Sequence, residues 1–353
     1  MNEHEPYMKR CLWLAAKGSG NTAPNPLVGS VLVAEGRIVG SGYHRAYGGP
    51  HAEVHAIESV RDKSILRKCT LYVNLEPCAH HGKTPPCADL IIRSEIPRVV
   101  VGQTDPNPLT AGKGIERMRA AGIEVITGVL EEECRHLNRR FNTFHSLGRP
   151  YVVLKWARSA DGFMDTDREE SKKTGIHWIS HPAVKKLVHK RRTLEGAIMV
   201  GAVTLANDDP SLTARSYFGR QPQRFVLSHR GILPAKAKIF HDGVPVEVVS
   251  HRGGPASPLL NAGDNLTWTS APAETGLIEA ALASMHAQGI NSVLVEGGRE
   301  TLNGFIELNL WDEAMVITAP HTLGKGLPAP SLPLSATHSR RYATDLINTY
   351  YNR

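Results

Sequence analysis

Apolar residues recur three and four apart over residues 5–17, the spacing of a helix that buries one face. Two short apolar runs follow at 30–34 and 38–42, and Glu35-Gly36 between them marks a hairpin turn. A helix is expected at 51–60, directly after Gly48-Gly49-Pro50, which puts His51 in its first turn. The alternating run 71–75 reads as a strand ending at Glu76-Pro77, so Cys78 falls where a strand hands over to a loop and a helix. His51 and Cys78 are therefore expected at neighbouring helix starts. A buried strand at 99–101, a helix at 115–121 and a strand at 123–126 complete a three-layer α/β unit. Residues 131–144 read as one charged connecting helix.

The rhythm restarts after Gly148-Arg149-Pro150 with a strand at 151–155. Strands at 197–200, 225–227, 244–249, 293–295 and 314–318, with helices at 183–192 and 277–287, give a second α/β unit. The expected domains are 1–147 and 148–353. Residues 253–264, rich in Gly, Pro, Ser and Asn, read as a surface loop.

A chain of 353 residues accommodates two such domains, each with its own core. Lysine and arginine outnumber aspartate and glutamate by 41 to 34, which favours anionic ligands. The charges are scattered and no dense basic run marks a nucleic-acid tail. Five cysteines suit a reducing cytoplasm better than a disulfide framework. Residues 1–7 carry no apolar signal core and no stretch approaches ~18 apolar residues. A cytoplasmic protein with no membrane partner is the expectation.

Against this background, His51-Ala52-Glu53 and Pro77-Cys78 followed by Cys87 stand out. Neutral imidazole and thiolate are preferred zinc ligands, and a catalytic zinc site needs only three from the protein. His51, Cys78 and Cys87 would supply them. Glu53, two residues beyond the histidine, sits where hydrolytic deaminases carry their general acid/base. A zinc-protease helix would place glutamate directly after the first histidine, where this chain has Ala52. A structural zinc site would recruit a fourth ligand from His55, His80 or His81. The eight residues between Cys78 and Cys87 form a longer loop than most nucleobase deaminases have, placed to touch substrate.

In the second half, the apolar run 293–295 leads into Glu296-Gly297-Gly298 and a helix, the arrangement of an anion site at a helix start. It lacks the spacing of a Rossmann fingerprint. Further anchors are Lys155, Asp161-Gly162, Trp178, the stretch 200–204 and the stretch 207–215.

Taken together these motifs resemble the bifunctional deaminase/reductase family of riboflavin biosynthesis. The resemblance runs from Pro24-Asn25-Pro26-Leu27-Val28-Gly29 through His51-Ala52-Glu53 and the 75–87 loop with its His80-His81-Gly82-Lys83-Thr84 centre. It continues through Asp105-Pro106-Asn107-Pro108 into the second-half motifs. It implies a cytidine-deaminase-like three-layer α/β/α domain followed by a dihydrofolate-reductase-like α/β domain. The first would use Zn²⁺ to remove a ring amino group from 2,5-diamino-6-ribosylamino-4(3H)-pyrimidinone 5′-phosphate. The second would use NADPH to reduce the ribosyl chain to ribityl, giving 5-amino-6-ribitylaminouracil 5′-phosphate.

By the same resemblance Asn25, His44, His80, Lys83, Asp105 and Asn107 would bind the deaminase substrate, Lys83 as a compact cation for its phosphate. Trp178, Thr204, Asp208 and the run Gly297, Gly298, Arg299, Glu300, Thr301, Leu302, Asn303, Gly304 would bind the cofactor. Arg192, Leu212, Arg215 and Glu296 would bind the reductase substrate, the two arginines chelating phosphate. The chain departs from the family pattern at Ile176, where a hydroxyl is usual, at Arg158, where a small residue is usual, and at Ser228-His229, which replaces the more frequent Asp-Ser. Two other classes compete: a tRNA-editing deaminase with an RNA-binding second domain, and a catalytically dead binding protein. Few aromatics, 6% of the chain, and the absence of a basic stripe weigh against the first. The intact Glu53 and ligand set weigh against the second. Pairing of open α/β sheets into a homo-oligomer fits the architecture, with no stoichiometry fixed.

Overall fold

The computed structural model describes residues 3–80, 85–108, 110–168, 174–252, 254, 265–272 and 274–352. It divides into two compact units, Met1–Gly148 and Arg149–Arg353.

The first unit runs α1 (Glu5–Ala16), β1 (Gly29–Ala34), β2 (Arg37–Tyr43), α2 (Ala52–Ser59), β3 (Thr70–Leu75), α3 (Cys87–Arg93) and β4 (Arg98–Gln103). It closes with α4 (Lys113–Ala120), β5 (Glu124–Thr127), α5 (Glu131–Leu137) and α6 (Arg139–Leu147). Its sheet has the order β2-β1-β3-β4-β5. The β1–β2 hairpin turns on Glu35 and Gly36 with φ of 49° and 73°. Two successive positive φ values match the right-handed twist of the flanking strands. Strand side chains alternate between the two faces. Leu32, Leu71, Val73, Val99 and Val101 pack on Ala56, Ile57, Ala88, Ile91 and Met118 of α2, α3 and α4. Val31, Val33, Tyr72 and Val100 pack on Met8, Cys11, Leu14 and Cys134 of α1 and α5. The unit is thus a sheet between two helical layers.

Three local expectations change. The helix expected at 131–144 is two helices, broken at Asn138, whose φ is −94° and ψ 17°. The Asn138 side chain accepts from the Leu27 N–H at 2.8 Å and donates to the Leu27 carbonyl at 3.0 Å. His51 is the extended residue before α2, not a member of its first turn. Cys78 lies in the β3–α3 connection, and Cys87 is the cysteine that opens a helix.

The second unit runs β6 (Tyr151–Arg158), β7 (Phe163–Asp165), α7 (Pro182–Leu194), β8 (Ala197–Gly201), α8 (Ala202–Asp208), β9 (Gln223–Leu227), β10 (Val246–Ser250) and β11 (Leu266–Ser270). After these come α9 (Leu277–Ala287), β12 (Ser292–Val295), α10 (Arg299–Glu307), β13 (Glu313–Thr318), β14 (Leu327–Pro328), β15 (His338–Tyr342) and β16 (Asp345–Tyr351). Nine strands form one sheet in the order β11-β10-β9-β8-β12-β6-β13-β16-β15. It is parallel from β11 to β13, and β16 and β15 extend it antiparallel. One face carries α9 and α10 through Ala281, Met285, Leu302 and Phe305. The other carries Leu205, Ile239 and Phe240, with Val184 and Val188 of α7 over Met315 and Ile317. Both faces being covered explains the near-continuous apolar runs of the central strands. The loop expected at 253–264 lies outside the described residues, Gly254 excepted. No described helix is long and apolar enough to cross a membrane.

Two candidate active sites

In the first unit, the ends of two elements and one connection bring His51, Cys78 and Cys87 together, with one ligand atom from each within 4.8 Å of the others. His51 Nδ1 is 3.3 Å from Cys87 Sγ and 3.6 Å from Cys78 Sγ, and the Cys87 N–H donates to Cys78 Sγ at 3.4 Å. Hydrogen bonding from Cys87, reinforced by His51, pulls the Cys78 thiol down to about 4. The same pairing, together with burial, pushes Cys87 upward, so the two sulfurs share one proton. Two soft sulfurs and an imidazole nitrogen form the donor set of a zinc site with one position left open.

Glu53 lies in the first turn of α2, buried, and its Oε2 has no hydrogen-bond partner. Burial pushes its carboxyl up to about 7. An orphaned carboxylate oxygen is costly unless a ligand or water satisfies it, which is the condition expected beside a reacting centre. The donor set and this oxygen together fit a catalytic metal.

The remaining predicted residues divide. Asn25 Nδ2 lies 3.2 Å from His44 Nε2, while His44 Nδ1 lies 3.0 Å from the Pro50 carbonyl. A carbonyl only accepts, so Nδ1 carries the proton and Nε2 accepts from Asn25. Burial lowers the pKa of His44 and keeps it in this neutral form. The His44 and His51 rings meet edge to face at 5.5 Å, which places the Asn25–His44 pair against the metal donors. Asp105 accepts from the Asn107 N–H at 2.9 Å and from Thr110 Oγ1 at 2.9 Å. His80 is exposed, and Lys83 lies outside the described residues.

One organising residue escaped the sequence reading. The carboxylate of Glu76 is buried and accepts four backbone N–H groups: Asp105 at 3.1 Å, Gly112 at 3.0 Å, Gly114 at 2.8 Å and Ile115 at 3.3 Å. It ties the Asp105–Asn107 turn and the start of α4 to the segment that carries Cys78, two residues on. A Cβ on Gly114 would come within 2.0 Å of the Pro77 carbonyl, so only glycine permits this approach. The signal in the sequence was the Glu76-Pro77-Cys78 run, but its partners lie about thirty to forty residues away.

In the second unit a pocket is lined by Lys155, Ile176, Trp178, Arg192, Thr204, Asp208, Leu212, Arg215, Glu296 and Gly297. It opens at the carboxyl ends of β8 and β12, where parallel α/β sheets bind ligands. A Cβ on Gly201 would lie 2.6 Å from Thr301 Oγ1, and one on Gly298 2.8 Å from Thr204 Oγ1. The two strand-to-helix turns therefore lie bare against each other at the start of α10, a setting that fits the phosphates of a dinucleotide. Leu302 and Gly304 offer nothing to the pocket. Leu302 is fully buried in the core, and a Cβ on Gly304 would meet Ile278 of α9, because one helix face must cover the sheet. Gly298, Arg299, Glu300, Thr301 and Asn303 do not line the pocket either.

Arg192 departs from its expected phosphate role. Its Nε and Nη2 grip Glu296 at 2.8 and 2.9 Å, and Nη1 donates to the Thr213 carbonyl at 2.7 Å. Lys155 Nζ stands 3.5 Å from the same carboxylate. Burial pushes the Glu296 carboxyl upward, but Arg192 and then Lys155 outweigh it and hold the group at about 2. Arg215 is exposed at the pocket wall with one contact to Thr213 Oγ1 at 3.2 Å. Asp208 pairs with Arg168 at 2.7 Å, and Lys185 stacks 3.9 Å over the exposed Trp178 ring. Arg158 turns to Thr318 Oγ1 instead of the pocket. Beneath the wall, the fully buried Arg224 pairs with Asp242 through two 2.7 Å bonds and donates to the carbonyls of Ser211, Ile239 and Val244.

Both units have relatives. Residues 1–103 match the cytidine and deoxycytidylate deaminase zinc-binding region, and residues 150–347 match the RibD C-terminal domain. Riboflavin biosynthesis protein RibD of Aquifex aeolicus is 42% identical over 91% of this chain and 88% of its own length. The RibD of Escherichia coli is 36% identical over 91% and 89%. Among solved structures, Acinetobacter baumannii RibD superposes with a TM-score of 0.86 at 32% identity, covering 99% of this chain and 98% of that one. A Thermotoga maritima diaminohydroxyphosphoribosylaminopyrimidine deaminase/5-amino-6-(5-phosphoribosylamino)uracil reductase does so at 0.83 and 38%, covering 98% of each. Family models match both α/β units and relatives at 36–42% identity match about nine-tenths of the chain, so the chain belongs to the RibD family of riboflavin biosynthesis proteins.

Proposed function

We propose that the two units act in succession on one phosphorylated pyrimidine. The first removes the 2-amino group of 2,5-diamino-6-ribosylamino-4(3H)-pyrimidinone 5′-phosphate by hydrolysis, and the second reduces the ribosyl chain of the product with NADPH. The observation that carries this reading is the unpartnered, buried Oε2 of Glu53 beside three metal donors. His51, Cys78 and Cys87 would hold zinc, which when bound lowers the pKa of a water to about 7 and so supplies a nucleophile at neutral pH. Glu53, poised at about 7, would carry two protons in turn: one from the attacking water to the ring nitrogen, then one from the hydroxyl so added at the ring carbon to the amino group, which leaves as ammonia. Asn25, oriented by neutral His44, and the Asp105–Asn107 turn, fixed by Glu76, hold the pyrimidine and ribose.

In the second unit a nicotinamide, when bound, supplies the reducing equivalent to the sugar C1 aldehyde. Arg215 takes the substrate phosphate. Arg192 keeps Glu296 ionised and fixed as an acceptor for substrate hydroxyls, and Lys155 beside it is placed to protonate the new alcohol. Ile176 closes part of the pocket with an apolar surface and leaves the neighbouring polar groups to orient the substrate. No observation favours the nucleic-acid-editing alternative. The test is NADPH oxidation by the purified protein given the undeaminated substrate, with ammonia assayed in parallel. Oxidation requires both sites in sequence and supports the reading. Ammonia without oxidation removes the reductase half, and neither product removes both.

A further inference from the structure

His189 is a buried histidine of α7 that the proposed reduction leaves without a task, yet it lines the second unit's pocket. Lys185, His189 and Arg192 lie four and three residues apart, so one face of α7 presents all three to the ligand space. Two of them are engaged. Lys185 stacks over the Trp178 ring, and Arg192 is held by Glu296 and the Thr213 carbonyl. The Nδ1 of His189 accepts from the Ser216 N–H at 3.3 Å, and among the described residues the ring makes no other hydrogen bond.

A backbone N–H only donates, so Nδ1 is bare and the proton of the neutral ring sits on Nε2. The surroundings keep the ring neutral. Burial first, then the charges of Arg192 and Arg215, with Lys185 adding to them and Glu296 opposing, hold its pKa down at about 4. A protonated Nδ1 would also meet the Ser216 N–H donor to donor. His189 thus enters the pocket as an uncharged imidazole, and with Nδ1 taken, Nε2 is the atom it has to offer a ligand.

The Ser216 bond also says which ligand. Ser216 directly follows Arg215, which is exposed at the pocket wall with a single contact, so the imidazole and the guanidinium are tied to one short piece of chain. Each has N–H groups to give and no acceptor left. A group that meets both must be rich in acceptors, and a phosphate monoester has three terminal oxygens to share between them. A sugar hydroxyl is better served by the carboxylate of Glu296. We infer that His189 donates from Nε2 to the phosphate of the reductase substrate beside Arg215, and that this contact makes the second unit select the phosphorylated over the dephosphorylated sugar. The inference rests on the reductase reading proposed above, including its placing of the phosphate at Arg215.

The test measures kcat and KM for NADPH oxidation with the deaminated substrate and with the same compound lacking its phosphate, for the full chain, H189N and H189Q. Asparagine keeps an acceptor where Nδ1 stands and removes the donor, whereas glutamine reaches as far as Nε2 and restores a neutral N–H. Expected for the unaltered chain is a lower KM for the phosphorylated compound. H189N should raise that KM about ten-fold. Its kcat, and its KM for the dephosphorylated compound, should stay within about two-fold, the pattern of a contact made equally in the ground and transition states. H189Q should recover most of the difference. Equal losses on both compounds, or an unchanged phosphate preference in H189N, would overturn the inference and leave the reductase reading standing. So would a ten-fold fall in the NADPH affinity of H189N measured without substrate, because the donor would then serve the cofactor. Should H189N fail to fold, H189Q alone decides: a retained phosphate preference supports the inference and a lost one overturns it. Oxidation of both compounds by the unaltered chain with equal KM would overturn the placing of phosphate at Arg215 and the role of His189 with it. Oxidation of neither would overturn the reductase reading as a whole.

Discussion

Glu53 is the buried side chain on which the proposed deamination turns. Its Oε2 has no partner and its carboxyl is held near neutrality, so Glu53→Gln should keep the zinc content of the protein while ammonia release falls by about 10²–10⁴-fold. A variant that keeps full turnover would remove Glu53 from the proton path. His189 makes a separate prediction. Burial, then the charges of Arg192 and Arg215, lower it from 6.5 to about 4, and its Nδ1 accepts from the Ser216 N–H. The unfolded chain therefore takes up a proton that the folded chain refuses. His189 supports the fold fully above 6.5, and this support is lost as pH falls through about 4. Thermal melting of the protein between those limits should drop more steeply than that of His189→Gln. Which residues could be read from the sequence follows from distance along the chain. His51 and Glu53 are two apart, and Cys78 and Cys87 lie in one loop, so their chemistry shows in the spacing. Glu76 looks like an ordinary residue before a proline until the fold brings Asp105 and Gly114 to it.

At the scale of elements, the chain's periodicities located the central parallel strands and the helices over them, because a strand covered on both faces must be apolar throughout. The antiparallel extension was not legible. β15 is exposed along its whole length, and β16 mixes Asp345, Asn348 and Thr349 with Ile347 as its one buried apolar residue, so neither shows a hydrophobic run. The break at Asn138 was hidden for a different reason: a helix-compatible residue leaves the helix to satisfy the Leu27 backbone across the unit. The contact between α4 and the Cys78 segment carries its own prediction. Gly114→Ala inserts a methyl where the Pro77 carbonyl stands, so the segment must shift. The variant should melt at lower temperature and retain less zinc by metal analysis, whereas Gly122→Ala, at a positive φ with open space, should melt lower but hold its zinc. Equal zinc content in both would detach α4 from the metal site.

At the scale of the whole molecule, each unit has its own sheet and core, and each candidate site is built from residues of one unit alone. Metal removal should therefore divide the activities: a chelator strong enough to strip a thiolate site should abolish ammonia release, while reduction of a substrate supplied already deaminated continues at its former rate. Loss of both together would contradict independent sites. Beneath the exposed residues of the second unit's pocket, Arg224 supplies a brace of its own. Buried beneath the pocket wall and bonded to Asp242 and to the carbonyls of Ser211, Ile239 and Val244, it holds the wall from inside. A pocket braced in this way divides two tasks between different residues: exposed side chains at the rim can be exchanged one at a time, while the shape they stand on is held from below.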